Sequence, residues 1–338
     1  MSSADIPAVS VVVIGRNEGE RLLRCLDSVR NMIGPEGGTE LLYVDSESED
    51  GSCERAAALG AAVLSIPAGR RSAAAARNVG WRAAKAPLVL FLDGDTMVHP
   101  RFVVDSLRHF DDPNVAIVWG HRRESAPHES IYNRVLDLDW VYVAGWSEFC
   151  GGDALVRRDV LERVGGFDES LVGGEEPEMC RRIRELDLGI LHVDRPMTRH
   201  DLAITHWSQY WRRAERAGYA YAAVSERFAG TRLPLWKEVA RANVVHAGIL
   251  VGVAATALLG CVLSLSPVPA LLATAFYAAL AVRSALRSRW KNASITTLLL
   301  YGVHSHLQQI PILVGQLIYR RERTGGGVSR LVWYKERG

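Results

Sequence analysis

Through the N-terminal third of the chain, short apolar runs rich in Val, Ile and Leu alternate with helical patterns, and Gly, Asp or Asn punctuate the joins. Residues 9–14, 40–44, 61–66 and 88–92 predict strands, and residues 20–32, 52–59 and 72–84 predict the helices between them. This alternation implies an α/β fold with a mostly parallel sheet. Ligands of such sheets collect at the carboxyl ends of the strands. The first, second and fourth strand ends carry polar residues: Arg16, Asn17 and Glu18; Asp45; and Asp93, Gly94 and Asp95. Further along, Met179, Ile183 and Leu186 have helical spacing directly after Glu175 and Glu176, and a strand ends near Met197, just before His200.

The C-terminal pattern is different. No Asp, Glu, Lys or Arg lies between Arg241 and Arg283, a run about twice the ~20 residues that one bilayer span needs. Ser264, Ser266, Pro267 and Pro269 interrupt it near the middle, as a turn between two spans would. The reading is a membrane hairpin over about 244–283, with a buried helical pair of a soluble protein as the alternative. A further uncharged stretch carries Tyr301, His304, Ser305 and Gln308 at helical spacing, so residues 294–319 read as a third span with its polar stripe inward or as an interfacial helix. His304 and His306 read as hydrogen-bonded packing residues.

Arg and Lys flank the hairpin on both sides and are absent from its turn. The positive-inside rule then puts both ends in the cytoplasm. The apolar stretch 8–14 is too short for a secretory signal and runs into Arg16, Asn17 and Glu18. The expectation is a multi-pass protein of the cytoplasmic membrane with its large domain in the cytoplasm. The chain divides accordingly into an α/β domain at 1–230, an amphipathic interfacial linker at 231–243, a membrane region at 244–319 and a basic cytoplasmic tail at 320–338.

Composition sharpens this picture. The chain has 338 residues, 48% hydrophobic and 23% charged, which suits about two folded units and excludes disorder, collagen and a small disulfide scaffold. Forty Lys plus Arg against 38 Asp plus Glu leave a net charge of +2, which argues against nucleic acid as a partner. The mean hydropathy of +0.02 averages a charged domain with an apolar one. Cys25, Cys53, Cys150, Cys180 and Cys261 are widely spaced, with no CxxC pair, and read as reduced thiols.

No GxxxxGK[ST] loop or GxGxxG turn follows the first strand, so neither P-loop phosphate binding nor the dinucleotide fingerprint is supported. Asp93-Gly94-Asp95 reads either as a solvated turn or as two carboxylates for a divalent ion that also holds a diphosphate. Its place after the apolar run 88–92, among other polar strand ends, favours the second. Glu175 and Glu176 suit a helix N-terminus through its dipole. Gly151 and Gly152 allow close approach of backbone to a ligand or make a tight turn.

In order along the chain stand the strand Val11, Val12, Val13 and Ile14 leading to Arg16, Asn17 and Glu18; then Tyr43, Val44, Asp45 and Ser46; then Ala76, Arg77, Asn78, Val79 and Gly80. Phe91, Leu92, Asp93, Gly94 and Asp95 follow, then Gly165, Gly166, Phe167 and Asp168, then Gly174, Glu175, Glu176 and Pro177. This ordered set resembles the family 2 glycosyltransferases. The resemblance implies the GT-A fold, a Rossmann-like catalytic domain here followed by C-terminal transmembrane helices. It also implies a nucleotide-sugar donor, most often a UDP-sugar, with Mg2+ or Mn2+ on its diphosphate.

By the same likeness Arg16, Asn17, Glu18 and Asn78 line the nucleotide-sugar site, Asp45 holds the base, Arg77 contacts base or phosphates, and Asp93 approaches the ribose. Asp95 holds the metal with Asp93, and His200 is either a further ligand or a surface histidine. Gly151, Gly152 and Asp153 lie on the acceptor side. Of Glu175 and Glu176, the second deprotonates the acceptor, in a position where the family usually has Asp. Residues 205–228 loosely resemble the aromatic, basic segment that closes over donor and acceptor, with Trp211 and Arg212 on the acceptor side. Gln209 and Arg212 fit its QxxRW pattern, but Arg213 stands where Trp is expected.

The expected activity is inverting, metal-dependent transfer to a hydroxyl of a lipid-linked, polysaccharide or cell-envelope acceptor at the bilayer. The alternatives are sugar transfer to polyprenyl phosphate and a non-catalytic nucleotide-binding membrane scaffold.

Overall fold

The computed structural model describes residues 6–67, 69 and 71–325. It divides into two compact units, residues 6–126 with 140–202, and residues 127–139 with 203–325. The first opens with β1 (Val9–Gly15), α1 (Glu20–Arg30), β2 (Thr39–Asp45), α2 (Ser52–Ala58), β3 (Ala62–Ser65), α3 (Ala73–Ala83) and β4 (Leu88–Asp93), the alternation that the hydrophobic pattern predicts. β5 (Thr96–Val98), α4 (Phe102–Ser106) and β6 (Val115–Glu124) follow; α5 (Ile131–Asp139) belongs to the second unit. The chain returns through β7 (Gly145–Ser147), β8 (Ala154–Arg157), α6 (Arg158–Val164), α7 (Glu175–Glu185) and β9 (Gly189–His200). The last strand runs past Met197, so His200 is its final residue.

These strands make one nine-stranded sheet in the order β3-β2-β1-β4-β8-β6-β9-β5, with β7 on β9. β1, β2, β3 and β4 are parallel. Gly15 lies opposite Asp45 and Ile14 opposite Asp93, so the polar strand ends are flush at one edge. β8 runs antiparallel to β4 and pairs Ala154 with Phe91, which delivers residues 151–153 to that same edge. The centre of the sheet is closed to water: Val11, Val12, Val13, Val89 and Leu90 are fully buried. Gly80 packs α3 against this surface, since a Cβ there would lie 2.2 Å from a methyl of Val12. Arg77, about one helical turn earlier, is thereby held at the carboxyl edge.

The second unit is helical: α5 with α8 (Trp207–Arg227), α9 (Lys237–Ser264), α10 (Val268–Arg287), α11 (Ile295–Leu307) and α12 (Gln309–Gly325). Its boundary falls at 202/203 and takes in 127–139, whereas the sequence pattern suggests a boundary at 230. The cause is packing. α8 turns Tyr210, Ala214 and Gly218 inward, and α12 meets it backbone to backbone. A Cβ on Gly218 would lie 1.9 Å from the Ile312 carbonyl oxygen, and one on Gly315 would lie 1.9 Å from that of Glu215.

α5 is tied in by polar contacts. Tyr301 donates to Asp139 (3.0 Å), His304 Nε2 lies 3.1 Å from the same carboxylate, and His304 Nδ1 lies 2.8 Å from the Tyr210 hydroxyl. Of the polar stripe expected along 301–308, Tyr301, His304 and Ser305 are thus spent within the helices.

α9 and α10 are long and apolar enough to cross a membrane, and Ser266 and Pro267 lie in the turn between them. Leu258, Leu263, Leu271 and Leu272 are exposed on them. The stretch 294–319 is two helices rather than one, because Pro311 lacks the N–H that a continuous helix needs and fits the first turn of a new one. Of the basic tail expected at 320–338, residues 326–338 lie outside the described residues.

Gly218→Val and Gly315→Val each force branched carbon against a facing carbonyl. Each is expected to lower stability by at least the ~1–3 kcal/mol of ordinary overpacking, seen as a lower thermal midpoint, whereas Gly248→Ala, on a helical backbone with nothing within 4 Å of an added Cβ, serves as the mild control.

Candidate active site

Arg77 is the centre of the charged edge. Its side chain is 2% exposed, and its guanidinium donates to Asp93 at 2.8 Å and to Glu175 at 3.1 Å and lies 3.0 Å from Glu176. Burial opposes the cation, but Glu176, Asp93 and Glu175 outweigh it and hold the guanidinium protonated more firmly than in water. Phe167 lies under it, its ring centroid 5.5 Å from the guanidinium carbon.

Gly152 permits this assembly. A Cβ there would lie 2.7 Å from Arg77 Nη2, 2.9 Å from an Asp93 oxygen and 3.2 Å from a Glu176 oxygen. A second arginine, Arg122 at the polar end of β6, lies 2.8 Å from Asp153 and 3.8 Å from Asp93. Asp153 also accepts from Thr198 (2.8 Å) and the Asp93 amide (3.2 Å). Its carboxylate is therefore a brace inside the cluster. Gly151 borders a cavity of about 130 Å3 with Trp119, Trp140, Tyr142, Phe149 and Arg122 in its walls.

Asp93, Asp95 and His200 form a second group, with one donor atom from each within 4.8 Å of the others. His200 Nε2 lies 3.2 Å from an Asp95 oxygen, and His200 Nδ1 is buried without a hydrogen-bond partner. Burial pushes the imidazole below its ordinary pKa despite the pull of Asp95, which keeps a lone pair available for a ligand bond. Burial acts to raise the Asp93 carboxyl, but Arg77 and Arg122 hold it below the usual range. Two carboxylates and a neutral imidazole suit Mg2+ or Mn2+.

Glu175 and Glu176 begin α7, yet they differ. The Glu175 side chain is 7% exposed and that of Glu176 18%. Burial first, and then the charge of Glu175, push the Glu176 carboxyl up to about 7 against the pull of Arg77. An acid with that pKa can exchange a proton near neutrality.

The other sequence-derived residues separate into two groups. Asp45 is buried at the end of β2, where it accepts from Tyr43 (2.8 Å) and the Ser48 amide (2.8 Å). Arg16, half-buried, and Glu18, buried, follow β1 at the same edge, and Glu18 pairs with Arg21 at 2.8 Å. Asn17, by contrast, fastens the β1 loop to the β2 loop: it donates from its amide to Ser48 and accepts from the Glu49 amide. Asn78 is also used within the fold. Its side chain donates to the Phe167 carbonyl and Glu169 and accepts from Trp81 and the Phe167 amide, which exhausts its hydrogen-bonding capacity.

Trp211 and Arg212 lie on α8, in the helical unit, where Trp211 donates to Glu215 and Arg212 to the Ser208 carbonyl. Gln209, the other part of the QxxRW pattern, caps that helix through Thr205 and His206. Arg122 and Thr198 are site residues that no motif announces. The available signal for Arg122 was an apolar run ending in charge, 115–124, the same form as the other strand ends.

Residues 10–165 match the family model described as glycosyl transferase family 2, and residues 88–286 match glycosyl transferase family group 2. Glycosyltransferase AglE of Haloferax volcanii is 26% identical over 53% of this chain and 62% of its own length. The pre-mycofactocin glycosyltransferase of Mycobacterium tuberculosis is 30% identical over 57% of this chain and 42% of its own. The chain therefore aligns with only part of each of these curated relatives. Among solved structures, mannosyltransferase PcManGT of Pyrobaculum calidifontis, in complex with GDP-Man and Mn2+, superposes with a TM-score of 0.63 at 21% identity, over 89% of this chain and 87% of its own. That likeness is one of fold.

Replacing Arg77 leaves buried carboxylates without their cation. Arg77→Met is expected to destabilise the protein by about 3–5 kcal/mol, the cost of breaking a buried ion cluster, measured as a lower midpoint of thermal unfolding.

Proposed function

The chain belongs to the family 2 glycosyltransferases, and on that premise we propose that it moves a sugar from a nucleotide-sugar donor, a UDP-sugar first, to an acceptor hydroxyl with inversion at the anomeric carbon. The observation that carries this reading is the juxtaposition, around Gly152, of a raised-pKa carboxyl with a buried arginine and a carboxylate shared with the Asp93–Asp95–His200 group. The flush strand ends support a donor laid across Asp45, Arg16 and Asp93. The neighbour's GDP-Man and Mn2+ support the same two kinds of ligand here.

Asp93, Asp95 and His200 would hold Mg2+ or Mn2+, which when bound supplies positive charge to a departing nucleoside diphosphate. Arg77 keeps Asp93 ionised and holds Asp93 and Glu175 in place. Glu176, the more exposed acid, takes the proton from the attacking hydroxyl as the sugar–phosphate bond breaks on the opposite face. Its carboxylate form is the active one. A diphosphate leaves without a proton, so the second carboxylic acid of glycoside hydrolysis is unnecessary. The aromatic cavity beside Gly151 suits the apolar face of an acceptor ring.

Crossing of the bilayer by α9 and α10, with the sheet unit on the cytoplasmic side, completes the proposal. Their exposed leucines support it, and a lipid-linked or cell-envelope acceptor would be presented there.

Because Glu176 must be deprotonated, kcat/KM is expected to fall about tenfold per pH unit below about 7 and to level off above it. Glu176→Gln should remove that limb and lower kcat by roughly 10²–10⁴-fold, while Glu175→Gln should retain it; a limb that survives in Glu176→Gln assigns the base elsewhere.

The donor is tested with purified protein, Mn2+ and a panel of UDP- and GDP-sugars, with NMR of the product reading anomeric configuration. Asp95→Asn is expected to abolish turnover. Equal turnover in that variant overturns the metal assignment, and donor binding without turnover under any condition favours a scaffold.

A further inference from the structure

At one end of the α9–α10 pair lies an open cavity of about 630 Å3, lined by residues of α9, α10 and α11 alone. Arg241 enters it from the start of α9, and Arg283 and Arg287 from the end of α10. The hairpin brings these ends together. Among the described residues none of the three guanidiniums has an ion-pair or hydrogen-bond partner. Glu238 is the one acid in the lining, so the cavity has an excess of positive charge. Three like charges drawn to one cavity repel unless an anion joins them.

The interior of the cavity is polar where a span would otherwise be apolar. His246 Nε2 lies 2.9 Å from His306 Nδ1, and His306 Nε2 lies 2.9 Å from the Ser284 hydroxyl. Val245, Ile249 and Leu280 line the cavity as well, and Ile249 is exposed at the base of the apolar length of α9. A ligand with an anionic head and an apolar tail matches both surfaces. Basic recesses between membrane helices on the cytoplasmic side hold lipid phosphates for this reason.

We propose that this cavity binds the phosphate headgroup of an anionic membrane phospholipid, with Arg241, Arg283 and Arg287 on the phosphate and an acyl chain along Val245 and Ile249. The assignment rests on α9 and α10 lying in a bilayer. It concerns the helical unit only and is independent of the donor and acceptor chemistry above.

The full-length protein, purified in a neutral detergent, is titrated with phosphatidylglycerol, with phosphatidylcholine and with inorganic phosphate, and bound lipid is counted by native mass spectrometry. Wild type is expected to prefer phosphatidylglycerol, and the triple variant Arg241→Gln, Arg283→Gln, Arg287→Gln to lose roughly a hundredfold in that affinity. The triple Arg→Lys variant keeps the charge and is expected to retain most of the preference, which separates lost binding from lost fold. Equal binding of the two lipids by wild type, or an undiminished preference in the Gln variant, overturns the proposal. A comparable response to inorganic phosphate alone identifies a free-anion site and overturns the lipid. Recovery of the protein in the soluble fraction of cells removes the bilayer premise, and that outcome is read by fractionation before any lipid is added.

Discussion

Burying an arginine is unfavourable unless carboxylates surround it, and crowding three carboxylates together is unfavourable unless a cation joins them. Arg77 with Asp93, Glu175 and Glu176 satisfies both conditions at one point. The members come from the consecutive elements α3 and β4 and from the start of α7, far along the chain. Because the ion cluster is costly when incomplete, these segments have a strong electrostatic reason to meet in one arrangement only. The same contact sets the chemistry, since it keeps Asp93 charged while Glu176, crowded by Glu175, sits near the point where a proton can move either way.

A second arginine extends the arrangement. Arg122 and Thr198 brace Asp153, and Asp153 in turn accepts from the amide of Asp93. The site is thus built in depth, with the Asp93 carboxylate backed by a layer of polar groups that brace one another. The missing side chain of Gly152 belongs to this design as much as any charged residue, because the space that a methyl would fill is where arginine and carboxylates converge.

Features fixed by local pattern were legible in the sequence. Strands β1 to β4 announce themselves by β-branched runs, and their polar ends by an abrupt change of residue type. The α9–α10 pair is equally plain because its signal is composition. What was hidden depends on pairing across long distances. β6 and β9 carry Arg122 and Thr198, and only the pairing of β6 with β8 and of β9 with β6 brings these residues to the edge. The bonds of the Asn78 amide to Phe167, Glu169 and Trp81 were hidden too, because a motif position does not reveal which groups an amide faces. The unit boundary was hidden for a similar reason: α5 follows β6 in the chain, but its Asp139 finds Tyr301 and His304 near the other end.

That last pairing bears on how the protein is made. Asp139 leaves the ribosome well before His304, 165 positions later, and at ~5–20 residues per second the interval is of order ten seconds. Within it the last strands of the sheet unit, β7 to β9, emerge, while α5 has yet to meet α11. The helical unit therefore closes last, when its own C-terminal helices arrive. A ribosome stalled within α10 would hold a nearly complete catalytic sheet whose inserted helix, α5, still has an unmatched carboxylate.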